Sequence, residues 1–358
     1  MQSNKKNFKE QKIYIGIDVH AKTWQVAVML ESGYTKIYAQ PASAQMLFNF
    51  LSNHFPGGEY YAVYESGFSG FSTYYALTEL GINCKVVHAA DVPTTQYESV
   101  MKTDKIDAVK LARGLRTDEL RTIYIRDKET LDDRSVFRIR TTIQKDLARY
   151  KNRIKHMLYS NGIEIPDRYL KPGSNWSRAF MEWLKNDVKL LSSTRNSLNM
   201  LIKQVETIRQ ALLEATRTIR KMSEKECYRE NYKLLRTIPG VGHLTSMCLL
   251  TEIYDFSRFH NEKQFASFMG LVPTCHDSGE KVVVGEKTFR GNRQLGVMII
   301  EACWVAIYRD YALGMAYASY KQHMKPQKAI VKIARKMSNI IFSVLKNGKE
   351  YEPYKWEE

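Results

Sequence analysis

Cysteine is scarce in this chain and badly placed for cross-linking. The five cysteines (Cys84, Cys227, Cys248, Cys275 and Cys303) are odd in number and form no C-x-x-C pair. That argues against a disulfide framework or a zinc ribbon and fits a reducing cytoplasm. Long apolar runs are missing too. No stretch of about 18 apolar residues occurs, and the polar opening MQSNKKNFKEQK has no apolar segment of signal-peptide type behind it. The expectation is a protein neither secreted nor embedded in a membrane. Internal repeats and low-complexity tracts are also absent. Acidic residues are in deficit, 38 Asp+Glu against 54 Lys+Arg, and the formal charge of +16 suggests a polyanionic partner.

What is present is a foldable chain. Apolar residues make up 44% of 358, too many for a disordered basic tail, and the length suffices for two or three domains. The charge is unevenly spread. Residues 1–115 hold 11 Lys/Arg and 10 Asp/Glu, so the remainder carries about +15. A nearly neutral module is therefore joined to a basic one.

The nearly neutral part reads as alternating strands and helices. KIYIGID is an apolar strand ending near Asp18, followed by a second strand through Val26, Val28 and Leu30 and a third at Thr35–Ala39. Met46, Leu47, Phe50 and Leu51 share one face of a helix over Ala44–Asn53. A strand at Glu59–Tyr64 delivers Glu65, a helix covers Tyr74–Leu80, a strand Cys84–His88 and a helix Lys105–Leu115. This is the element order of a ribonuclease-H-like α/β domain. The middle, about residues 127–222, has few glycines and two long helical patterns separated by Ile165–Trp176. In the second, Leu191, Thr194, Leu198, Leu201, Val205, Ile208, Leu212, Ala215, Ile219 and Met222 alternate steps of three and four. An antiparallel hairpin, a coiled coil with another protomer and a plain bundle helix all fit that seam. A compact helical third part follows Arg236.

Three constellations carry chemistry. The first is Asp18, Glu65, Asp104 and Asp107. Asp104 and Asp107 share a helix face, and two strand-end acids can meet them at one sheet edge. Acids that converge in a basic protein need a counter-charge, and hard oxygen ligands suit Mg²⁺ (or Mn²⁺) and phosphodiester chemistry. Taken singly, each is equally well a solvated acid, and Asp104 after Thr103 equally well a helix start. The second is IPGVGHLTS, the turn of a helix-hairpin-helix. Gly240 and Gly242 permit a tight backbone whose N–H groups, with the next helix N-terminus, can bind a phosphate without reading sequence. A plain helix–turn–helix packing element is the alternative. The third is PTCHDSGEKVVVGEKTFRGNRQLG, where Ser278 sits beside Gly279 in a polar turn and Lys281, Lys287, Arg290 and Arg293 follow. Arginines near an attacking serine can stabilise a phosphorane. Serine is a weak nucleophile, however, and only His276 or Asp277 is at hand as a local base. Residues alone favour an ordinary loop serine.

Together the three blocks resemble one family, the DEDD transposases of the IS110 insertion-sequence type, relatives of the Piv/MooV DNA invertases. IGIDVHAKTWQVAV, VYESGFSG, KTDKIDAVKLAR, LLRTIPGVGHLTSMCLLTEI, FASFMGLVP and RGNRQLG carry the resemblance in the family's order over nearly the whole chain. It implies an α/β plus α architecture. An N-terminal RNase-H/RuvC-like DEDD domain spans 1–122, a long helical coiled-coil region 123–228, and a mainly helical transposase domain with the helix-hairpin-helix and serine loop 229–358. It also implies that Asp18, Glu65, Asp104 and Asp107 hold the metal and that Ser278 is the nucleophile of a covalent serine–DNA intermediate. Family members complete the serine site of one protomer with the acidic site of another. Asp277 stands where relatives often carry a second small polar residue, but Ser278 is the only serine in the loop.

The expectation is thus a Mg²⁺-dependent, RNA-guided DNA recombinase of the prokaryotic cytoplasm, nucleoid-associated when bound. Its partners would be donor and target DNA, a structured noncoding guide (bridge) RNA, and further copies of itself in a dimer or tetramer. Gly240, Gly242, Lys281, Lys287, Arg290 and Arg293 are the candidate nucleic-acid contacts. Rival readings are a RuvC-like junction endonuclease using water, a Piv-like invertase without a guide, and a non-catalytic nucleic-acid-binding protein.

Overall fold

A computed structural model describes residues 8–353 except 172, 279–280 and 288–290, and between 274 and 287 the backbone alone. The chain divides into two compact units, residues 1–125 and 126–358.

The first unit is built on a five-stranded sheet. Its strands are β1 (Lys12–Val19), β2 (Thr23–Leu30), β3 (Thr35–Pro41), β4 (Glu59–Glu65) and β5 (Asn83–Val87), in the spatial order β3-β2-β1-β4-β5. β1 and β2, and β2 and β3, are antiparallel; β4 lies parallel to β1 and β5 parallel to β4. Alternation along the strands separates two faces. Ile13, Ile15 and Ile17 of β1, Trp24, Val26 and Val28 of β2, and Ala62 and Tyr64 of β4 form one core with Leu47 and Leu51 of α1 (Ala44–His54) and Leu77 of α2 (Ser72–Glu79). The opposite face receives α4 (Asp104–Arg116), whose Ala108 and Ala112 pack on Ala27 and Met29 and whose Leu111 and Leu115 pack on Val63. The element order matches the expectation from sequence. One helix, α3 (Gln96–Val100), falls in a stretch too polar to announce it.

Gly16 explains how α4 comes so close. A Cβ there would lie 2.0 Å from the Ala108 carbonyl oxygen, so only glycine lets the helix backbone rest on β1.

The second unit is mainly helical. It comprises α5 (Lys128–Ser160), α6 (Arg178–Asn186), α7 (Ser192–Met222), α8 (Glu226–Arg236), α9 (His243–Ile253), α10 (Glu262–Phe268), α11 (Arg293–Ala306), α12 (Tyr311–His323) and α13 (Pro326–Asn347). A two-stranded antiparallel hairpin, β6 (Pro273–Ser278) and β7 (Lys281–Lys287), stands before α11. Arg140 near the start of α5 donates to the Thr216 hydroxyl near the end of α7 (2.9 Å), while residues 153–161 share a cleft with 193–201. The two long helices therefore run antiparallel, as a hairpin within one chain. Leu198, Val205, Ile219 and Met222 of the expected seam are buried. Leu191 is not: it stands outside the helix as its N-cap and is 85% exposed, a departure caused by α7 starting one residue later.

Two cores serve this unit. One joins Leu147, Ile154 and Leu158 of α5 to Phe180, Trp183 and Leu184 of α6 and to Leu198, Ile202 and Val205 of α7. The other gathers α8, α9, α11 and α13, with Met247, Cys248, Leu249, Ile299, Ile333 and Met337 at its centre. Among the described residues no helix is long and apolar enough to cross a membrane.

Candidate functional site

Asp18 and Glu65 owe their meeting to strand register. The parallel pairing of β1 and β4 sets Ile17 beside Tyr64, so Asp18 and Glu65 follow one step on, side by side at the same sheet edge. Neighbouring strands are about 4.8 Å apart. Both alternate onto the face that α4 covers. Thr103 caps that helix, its hydroxyl accepting from the Ile106 N–H at 3.4 Å, and Asp104 is its first residue. Asp104 and Asp107 thus lie in the first turn, where the helix dipole favours negative charge. The helix-start role and the convergence of the acids are both realised in the same residue.

Two basic residues lie among the carboxylates. His20 Nε2 is 3.1 Å from Asp18 Oδ2 and 3.3 Å from Asp104 Oδ2. Lys110 Nζ is 2.8 Å from Asp107 Oδ1 and 3.8 Å from Glu65 Oε1. Neither was singled out in the sequence, although their spacing offered a signal: His20 is two residues beyond Asp18, and Lys110 one helical turn beyond Asp107.

Burial raises the Asp18 carboxyl above its ordinary range; His20 opposes this, and the charges of Asp104 and Asp107 add to it. Burial likewise raises Glu65, against the pull of Lys110 and Lys102 and with the push of Asp107 and Asp18. The acids therefore repel one another, with Asp18, Glu65 and Asp107 partly buried. Ligand atoms of Asp18, His20 and Asp104 all lie within 4.8 Å of one another. A hard donor set under mutual repulsion fits a divalent cation, which would relieve both strains.

In the second unit, Gly240 and Gly242 form the turn between α8 and α9. Gly240 has φ +83°, and a Cβ on it would stand 2.2 Å from the Ala302 carbonyl oxygen, so its glycine seats the turn on α11. Gly242 is the N-cap of α9, which receives no side-chain cap. Arg236 Nη1 donates to the Val241 carbonyl (3.0 Å). Burial holds the His243 imidazole below its ordinary pKa, helped by the positive charges of Arg220, Arg236 and Arg140.

Ser278 is the last residue of β6 and pairs in register with Lys281, the first of β7; Lys287 closes that strand. Their side chains, and Arg290 altogether, lie outside the described residues. Arg293 opens α11 and is exposed.

A buried network stands at that helix start. Glu252 of α9, fully buried, accepts from Arg134 Nε and Arg138 Nε of α5, both at 2.9 Å, and from Asn292 Nδ2 at 2.8 Å. Burial alone would raise this carboxyl, but Arg138 and Arg134 outweigh it and hold it below the carboxylate range. Asn292 also caps α11 through the Leu295 N–H (3.2 Å). No local pattern in the sequence announces this network, because the partners of Glu252 lie 40 to 118 residues from it.

Two family models match the chain. One, described as a transposase of DEDD IS110 type, matches residues 15–161; the other, described as the transposase IS116/IS110/IS902 family, matches residues 232–318. The chain is 28% identical over 261 residues to the transposase for insertion sequence element IS1533 of Leptospira borgpetersenii, covering 70% of this chain and 72% of that protein. It is 25% identical to the putative transposase y4rJ of Sinorhizobium fredii, over 94% of this chain and 92% of that one. The pilin gene-inverting protein of Moraxella lacunata is 32% identical over 34% of this chain and 39% of its own length.

Proposed function

The chain belongs to the IS110-type transposases, enzymes that act on DNA, and on that premise we propose that it is an RNA-guided recombinase working through a phosphoserine link to DNA. The observation that carries the reading is the convergence of Asp18, Glu65, Asp104 and Asp107 on one sheet edge. The sheet order and the helix on its second face support a ribonuclease-H/RuvC-like domain.

On this reading the four carboxylates hold Mg²⁺ or Mn²⁺. Such an ion, when bound, neutralises charge on the scissile phosphate and polarises its oxygens. Ser278 Oγ forms the new bond to phosphorus as the bond to the 3′-oxygen breaks, and the serine proton passes in net to that departing oxygen. A 3′-hydroxyl then attacks the phosphoserine and restores the serine, so one phosphodiester is exchanged for another with no energy source consumed. Glu252 and Asn292 anchor the start of α11, close in sequence to the hairpin that bears Ser278. The turn at Gly240 and Gly242, with Lys281, Lys287, Arg290 and Arg293, supplies phosphate contacts. DNA choice rests on pairing with a noncoding RNA, which would leave no base-reading signature in the protein. The long hairpin joins protomers, and the enzyme works in the prokaryotic cytoplasm on the nucleoid.

The test is a cleavage assay on a DNA carrying the element's ends, with denaturing gels that retain protein–DNA adducts. Wild type should give a covalent adduct that Ser278→Ala abolishes, and Asp18→Ala or EDTA should abolish cleavage. Cleavage and rejoining that survive Ser278→Ala would sink the serine mechanism in favour of a water-using nuclease. The similarity to a pilin gene-inverting protein favours a second reading, an invertase with no RNA. Sequencing of RNA that co-purifies with the protein separates the two.

A further inference from the structure

We propose that Lys110 fills one of two cation positions in the acidic cluster, so that each chain binds a single divalent ion, on the Asp18–Asp104 side. The inference rests on the metal reading of this site.

The cluster is divided in two by its basic neighbours. On one side Lys110 Nζ lies 2.8 Å from Asp107 Oδ1 and 3.8 Å from Glu65 Oε1. On the other, the imidazole of His20 lies 3.1 Å from Asp18 Oδ2 and 3.3 Å from Asp104 Oδ2, and no ammonium or guanidinium is paired with either acid among the described ion pairs. Lysine is rarely this buried: Lys110 is 8% exposed, against the usual habit of keeping the ammonium in water. Its place is fixed by α4, which rests against β1 at Gly16 and carries Lys110 one turn beyond Asp107.

An ammonium at 2.8 Å takes one lone-pair region of Asp107 Oδ1 and sets a fixed positive charge between Asp107 and Glu65. Mg²⁺ binds oxygen at about 2.0–2.1 Å, so an ion there would lie against a like charge. The exposed Asp104 leaves the other side open to solvent, where an ion can enter with its waters.

Isothermal titration of the full chain with Mn²⁺, checked by electron paramagnetic resonance counting of bound ion, tests this. Wild type should bind about one ion per chain and Lys110→Met about two, while Lys110→Arg, which keeps the cation, should stay at one. Asp18→Asn should lose the ion that wild type binds. In a thermal melt, Mn²⁺ should raise the midpoint of Lys110→Met more than that of wild type, because the Glu65–Asp107 pair then has no resident cation. Two ions in wild type, or an unchanged count in a folded Lys110→Met, would overturn the inference and leave the metal reading standing. No Mn²⁺ bound by wild type would remove both.

Discussion

Asp18 concentrates the conflict between stability and chemistry in one side chain. Burial and the neighbouring Asp104 and Asp107 disfavour its charge, and only His20 opposes them. A carboxyl raised in the folded state stabilises the fold when protonated, and that contribution is lost as the pH rises through its folded value. Near neutral pH and in EDTA, Asp18→Asn should therefore raise the melting midpoint. Relief of about 1 kcal/mol corresponds to roughly 2–4 °C for a unit of this size. Differential scanning fluorimetry reads the shift, and a lower midpoint would contradict it. The same variant should be inactive in strand cleavage.

At the scale of elements, a clamp ties α3 to the last turn of α4, the helix that bears Asp104 and Asp107. Arg113 Nη1 and Nη2 of α4 donate to Glu98 Oε1 and Oε2 of α3 at 2.8 and 3.1 Å, and Glu98 closes a capping box with Thr95. The Arg113 hydrogen bonds and the Thr95 N–H hold the Glu98 carboxyl down to about 2, against the opposing effect of burial. A depressed carboxyl contributes stability above its unfolded value, near 4.5, and loses it as the pH falls toward about 2. Glu98→Gln should thus cost about 1–3 kcal/mol at pH 7, and its gap from wild type should close progressively below pH 4.5 in urea melts. A gap independent of pH would sink the ion-pair account. These elements also show what sequence could reveal. Five strands, α1, α2 and α4 were legible because strand alternation and helical spacing are local, and Asp104 and Asp107 were legible because they share one helix. The α3 clamp and the Glu252 network were not, since both depend on contacts between segments whose local patterns say nothing about each other. Ile202 was hidden for a related reason: the strict seam assigned its place to Leu201, whereas the α6 packing buries both to different degrees.

For the whole molecule, charge is divided as the fold is. Residues 126–358 hold 41 Lys/Arg against 26 Asp/Glu, and the first unit is almost neutral. Affinity for a duplex of arbitrary sequence should therefore fall steeply with salt, by about a hundredfold or more between about 50 and 200 mM, because each phosphate neutralised releases counterions. Fluorescence anisotropy measures it, and a flat salt response would refute a phosphate-dominated interface. One feature reaches beyond affinity. Asp104, Asp107 and Lys110 ride on a single helix, and that helix can settle only where residue 16 has no side chain. Grafting this centre onto another scaffold would mean transferring the helix and the glycine together. A mutational library that varied either one alone would lose the seat of the helix and, with it, the placement of all three charges.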